Sequence, residues 1–360
     1  MRFLLMLIFA LSSFFSSLSQ TLSAGFDVDE YRRLMLVSAQ FGDSAYRRNL
    51  PAPSGYQHLY RSPEMGLKNM WDLWLTAEGI PVINIRGTTS SEVSWLANFY
   101  AAMVPARGQL QLTNAKTFAY NLAADSQAAV HVGWLVATGF LSESILQKID
   151  SLYKTGKRDF LIVGHSQGGA IAYLLTAYLS YLQKDGKLSP DIRFKTYCSA
   201  APKPGNVFFA YDYEAVTRGG WAWNVVNAAD WVPQTPFSVQ TISDMNTVNP
   251  FVNAKAVIKN QPFLKRLALK YAYGKLTRNS NKASKHYTTY LGRYAAKAVR
   301  KQLPEFVFPA YVKSNDYVRT GNTISLMPSQ DYYRSYPQSD TNVFVNHLHT
   351  AYLFLLKEIK

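Results

Sequence analysis

Cysteine is nearly absent, with Cys198 alone among 360 residues. An intrachain disulfide is therefore impossible, and stability has to come from an apolar core. The same scarcity argues against a cysteine nucleophile and against cysteine-ligated metal. Acidic residues are missing from one long stretch. Between Met245 and Pro304 there is no Asp or Glu, while thirteen Lys or Arg fall between Lys255 and Lys301. The formal charge is +15, so this stretch holds nearly all of it and the rest of the chain is close to neutral. Basicity is thus local and not a property of the fold. Long apolar runs are missing too. The opening MRFLLMLIFALSSFFSSLSQ sets one Arg before roughly a dozen apolar residues and then small ones. That run is short of the ~20 residues a membrane-crossing helix needs. Its order is that of a signal peptide over 1–19, with Ser17 and Ser19 flanking the cut. An exported chain, secreted or periplasmic, is expected. No cysteine at the cut offers a lipid anchor.

What is present fits an ordered globular protein, with hydrophobic residues at 48% and charged ones at 17%. Apolar spacing predicts a helix from Asp27 to about Arg48. MWDLWLTAEGIPVINIRGT reads as two strands about a tight turn at Glu78-Gly79. A helix is expected over Ser90–Met103 and a longer one from His131 to Gly156. A strand over Asp159–Gly164 follows, then a helix after Ser166. RFKTYCSAA and WAWNVVNAAD read as buried strands, and NHLHTAYLFLLKEIK as a closing helix opened by His347 and His349. Strands alternating with long helices predict an α/β protein with a mostly parallel sheet. One domain over 20–360 with a helical insertion at about 245–304 fits better than two.

The stretch LIVGHSQGGA carries the chemistry. Apolar residues lead into Gly164, His165, Ser166, Gln167 and Gly168. A nucleophilic serine on a strand-to-helix turn needs small neighbours, because side chains there collide with the adjacent strand and helix. The helix starting at the serine can turn its N–H groups toward an oxyanion. A serine also needs a base and an acid to orient it, in the chain order Ser, acid, His on such a sheet. Asp230 ends an apolar strand, where sites collect; Asp212, Asp244 and Asp316 are rivals on order alone. His58 and His131 precede the serine, with His131 read as packing near the turn. His165 adjoins the serine and His286 lies in the basic stretch. His347 and His349 remain, and order does not separate them.

Six blocks between Trp71 and Tyr352 resemble the class 3 lipases, the fungal-type triacylglycerol lipases of α/β-hydrolase fold. VINIRGTTSSEVSWLANF is similar to the family's strand, R-G-T/S turn and Trp-Leu helix. VHVGW is similar to V-H-x-G-F, and LIVGHSQGGA to G-H-S-L-G-G-A, with Gln167 where Leu is usual. TYCSAAPKPGN, VVNAADWVPQTP and HLHTAYLFLL resemble three later blocks. The resemblance implies Ser166 as nucleophile, Asp230 as acid and His347 as base, the last because it stands five residues before a Tyr-Leu pair. It further implies an oxyanion hole at Thr88 and Gln167. The implied reaction is hydrolysis of a glycerolipid acyl ester through an acyl-enzyme, with a short-chain or aryl esterase or a phospholipase A1 as the alternative and no metal or cofactor required. A silent acyl-ligand or membrane binder is the alternative of another class.

The basic insertion departs from the family, since Asp230 and His347 lie 117 positions apart. Its two cationic amphipathic stretches predict helices over one end of the sheet. They suggest a cap that contacts anionic lipid surfaces through the Lys/Arg-rich 255–301. Nucleic acid is not an expected partner.

Overall fold

The computed structural model describes residues 22–359; the signal sequence expected over 1–19 lies outside them. Seven strands form one sheet: β1 Tyr56–Arg61, β2 Trp71–Thr76, β3 Pro81–Ile85, β4 Asp159–His165, β5 Arg193–Ser199, β6 Ala222–Asn227 and β7 Asn322–Leu326. They lie side by side in chain order. β1–β2 and β2–β3 pair antiparallel, and every pair from β3 to β7 is parallel. The β2–β3 turn places Gly79 at φ +79°, a conformation glycine adopts without a steric penalty.

β3 and β4 are buried along their whole length and read as largely apolar runs, as parallel strands covered on both faces should. Between β3 and β4 the chain forms α2 Glu92–Phe99 and α3 Val132–Lys154, and after β4 α4 Gln167–Lys184. Trp134, Leu135, Ile145, Ile162, Ile171 and Leu175 meet in the core on this face. The opposite face is covered by α1 Val28–Ser38 and the last helix, whose Tyr31, Leu34, Tyr352 and Leu355 pack on Val82, Val163 and Val225. This is the mostly parallel α/β architecture that the alternation predicts.

Three boundaries differ from the sequence reading. The first helix stops at Ser38, and a separate turn of helix resumes at Ser44 after Gly42. α2 ends at Phe99 instead of Met103, because Ala101 and Ala102 donate their N–H groups to the Leu291 carbonyl at 2.9 and 3.2 Å. His347 does not open the closing helix: it sits in a short turn, Val345–His347, and the helix runs His349–Leu356.

The basic insertion is helical, but it does not form two helices packed over the sheet. After a short helix at Ala254–Lys259, α5 Phe263–Tyr287 continues through a wider turn, Thr288–Tyr294, into α6 Ala295–Gln302. Only the distal part is anchored: Ala296 and Val299 are buried in the core with Ala97 and Tyr100 of the α2 segment. The first part of α5 projects into solvent, with Leu264 79% and Tyr271 69% exposed.

Candidate active site

Parallel strands deliver their loops to one edge of the sheet, and three of the predicted residues follow the carboxyl ends of β3, β4 and β6. Ser166 is the link between β4 and α4 and adopts φ 62°, ψ −129°. A non-glycine residue there stores about 1–3 kcal/mol of strain, which persists only when neighbours enforce it. Here the enforcement is visible. Ser166 N–H donates to the Ser199 carbonyl at 2.9 Å, and its own carbonyl accepts from Gly169 and Ala170 N–H groups. The flanking glycines admit no side chain: a Cβ on Gly164 would come within 2.2 Å of the Gly168 backbone.

Asp230 lies three residues beyond β6 and is buried. Each of its oxygens is satisfied. Val232 N–H donates to Oδ1 at 3.0 Å. His347 Nδ1 and Tyr352 Oη stand 2.7 and 2.9 Å from Oδ2. The bond to His347 fixes that ring's tautomer and leaves Nε2 without a hydrogen bond to any described residue. His165 ties the loops together, with Nε2 2.7 Å from the His347 carbonyl and Nδ1 3.0 Å from Ser199 Oγ. Burial and the neighbouring imidazoles hold His165 well below its ordinary pKa, hence neutral.

His349, the rival base, is spent elsewhere. Its Nδ1 lies 2.9 Å from Tyr46 Oη and its Nε2 3.2 Å from Ser38 Oγ. Burial pushes its pKa down to about 3. The rival acids are likewise occupied: Asp212 accepts from Ala124 N–H and Tyr181 Oη, Asp244 caps Thr241, and Asp316 accepts from Ser238 and Gln240. His131 caps α3, accepting from Trp134 N–H at 3.3 Å, and burial lowers its pKa to about 3.

Thr88 follows β3, and Gln167 begins α4. Neither backbone N–H has a hydrogen-bond partner among the described residues; for Gln167 this is the ordinary state of a first helical residue. Their side chains meet, with Thr88 Oγ1 donating to Gln167 Oε1 at 2.8 Å. Asn98 Nδ2 donates to Thr88 Oγ1 at 2.9 Å, and Gln167 Nε2 to Asn69 Oδ1 at 3.1 Å. Sequence reasoning missed Tyr352, Asn69 and Asn98 as parts of this site. Only Tyr352 carried a signal, as the aromatic residue used for spacing from His347.

Aromatic side chains cluster beside His347. Phe344 packs 6.0 Å from the His347 ring, and Trp95 and Trp231 lie 6.1 and 5.4 Å from Phe344 between ring centres. Trp231 is 40% exposed. A strained half-buried serine, a buried carboxylate–imidazole pair, free backbone donors and an apolar rim are together the parts that acyl transfer needs.

Residues 82–240 match the family described as lipase (class 3). A secreted mono- and diacylglycerol lipase of Fusarium solani is 35% identical over 109 residues, which is 30% of this chain and 29% of that protein. The chain thus covers less than a third of that relative's length. Among solved structures, Rhizomucor miehei lipase in its propeptide complex is 20% identical, covering 59% of this chain and 65% of that one, with a TM-score of 0.43. Lip2 lipase of Yarrowia lipolytica is 18% identical, covering 61% and 79%, with a TM-score of 0.42. Residues 82–240, which hold the strand, the serine turn and Asp230, are thus similar to the class 3 lipases.

Proposed function

We propose that this chain hydrolyses carboxylic esters of acyl glycerols through a serine acyl-enzyme. The observation that carries the proposal is the His347–Asp230 pair, 2.7 Å apart, at the same sheet edge as a serine held at φ 62°. His347 Nε2 takes the Ser166 proton as Oγ attacks the ester carbonyl. Asp230 stabilises the imidazolium, and the oxyanion is received by the Thr88 and Gln167 N–H groups. The imidazolium then protonates the departing alcohol. Water, deprotonated by His347, releases the acid and restores the serine.

The aromatic rim of Trp95, Phe344 and Trp231 suits an acyl chain. The partial likeness to a protein named as a mono- and diacylglycerol lipase supports partial glycerides as the substrate class. Export is part of the same reading, from the apolar leader over 1–19 and the secreted relative. We further assign α5 a role in holding the protein at anionic lipid surfaces. Its exposed Phe263, Leu264, Leu267 and Tyr271 stand among exposed Lys265, Lys270 and Lys275, with no acidic residue nearby in sequence. Such a face gains both from burial in the interface and from anionic headgroups.

A fluorophosphonate probe tests the catalytic reading. Wild type should be labelled, and Ser166→Ala should lose both labelling and about 10⁴-fold or more of its ester hydrolysis. An unlabelled wild type, or a labelled Ser166→Ala, overturns it. Monoacyl, diacyl and triacyl glycerols compared with p-nitrophenyl esters of rising length then fix the substrate.

A further inference from the structure

We propose that the Gln167 side chain is a positioning residue: it claims the Thr88 hydroxyl proton and leaves the oxyanion hole to two backbone N–H groups. The inference rests on the ester-hydrolase reading above and concerns how that hole is built.

An indole N–H can only donate, and Trp134 Nε1 donates to Asn98 Oδ1 at 3.0 Å. That fixes the Asn98 amide, so its Nδ2 faces Thr88 and donates to Oγ1 at 2.9 Å. The hydroxyl has a single proton of its own, and it goes to Gln167 Oε1 at 2.8 Å. Gln167 Nε2 passes the chain on to Asn69 Oδ1 at 3.1 Å. The relay Trp134–Asn98–Thr88–Gln167–Asn69 runs in one sense, so each bond polarises the next.

Gln167 and Asn69 are 2% and 3% exposed. Water cannot replace the Thr88 proton on Gln167 Oε1, so turning the hydroxyl toward substrate would strand a buried carbonyl oxygen. With Leu at 167, the residue usual in the motif this stretch resembles, no such acceptor exists. The hydroxyl would then be free to serve the oxyanion. The polar residue at 167 therefore trades a third oxyanion donor for a rigid anchor between α4, the β3 loop and α2.

A double-mutant cycle on p-nitrophenyl butyrate tests this. Thr88→Val should lower kcat less than about five-fold when Gln167 is present, with KM unchanged. In the Gln167→Leu background the same change should lower kcat by about 10²-fold, the cost of one oxyanion donor. Thr88→Ser, which keeps the hydroxyl, should change kcat by the same factor in both backgrounds. If the Leu variant does not fold, Gln167→Met supplies an apolar chain of similar length. An equal factor in the two backgrounds overturns the proposal, including the case where the Gln167 amide faces the other way. A wild type that neither labels at Ser166 nor hydrolyses any ester removes the ester-hydrolase reading and this inference with it; labelling with an equal factor removes this inference alone.

Discussion

A Cβ built on Gly168 would come within 2.2 Å of the Ile85 carbonyl oxygen and 3.0 Å of the Arg86 carbonyl carbon. Both are backbone atoms of the β3 edge, and neither can swing aside as a side-chain tip could. Gly168→Ala must therefore push α4 away from β3, and with it the Thr88 and Gln167 N–H groups. We expect a loss of roughly 3 kcal/mol or more of stability, at the upper end of overpacking changes, measured by denaturant unfolding. Unchanged stability with unchanged activity would contradict this packing. The need for small residues at this turn is legible in the letters G-H-S-Q-G-G. The need for Asn69 is not: it lies 98 positions from Gln167, in a loop that no periodicity marks, and only folding brings the amides together. His347 and His349 are equivalent as letters. What distinguishes them is which partners the tertiary structure sets against each ring.

Among elements, α5 and α6 show how far pattern alone reaches. The cationic amphipathic sequence made helices there legible. The tertiary contacts decide which part is anchored: Leu291 accepts from Ala101 and Ala102, and Ala296 and Val299 are buried, whereas α5 upstream is left in solvent. The same Leu291 contacts end α2 before Met103, a boundary no local propensity encodes. The free part of α5 yields a test of the membrane proposal. Wild type should sediment with phosphatidylserine-containing vesicles and not with neutral phosphatidylcholine ones, and salt should release it. Lys265, Lys270, Lys275 and Lys282 are all exposed. Changing the four to Glu should weaken binding at least 100-fold, since each surface cation near such a leaflet contributes about 1 kcal/mol. Hydrolysis of a soluble ester should be unaffected. Equal binding by the variant, or equal binding to neutral vesicles, rules the role out.

For the whole molecule, the histidines set a pH limit. Burial holds His131 and His349 at about 3 and lowers His165 from the ordinary 6.5. The unfolded chain binds a proton at each near 6.5, while the folded chain does not until far lower pH. Unfolding thus takes up protons in this window, and stability rises with pH across it. It is complete above about pH 6.5 and is lost as pH falls toward 3. Each group contributes about 1.4 kcal/mol per pH unit. Denaturant midpoints should fall steeply between pH 6.5 and 4.5, with an uptake of about three protons. A flat profile down to pH 5 would show that these rings are not held neutral.

The sequence by itself determined the alternation of strands and helices and the glycine-flanked serine turn. These depend on residues close in the chain, whose apolar periodicity and small side chains act locally. Tertiary structure alone decided which imidazole faces Asp230, where the Thr88 proton goes and which part of the basic helix stays free. Each of these is settled by partners far away in sequence, since a hydrogen-bonding group or an apolar face takes its role from what folding sets opposite it.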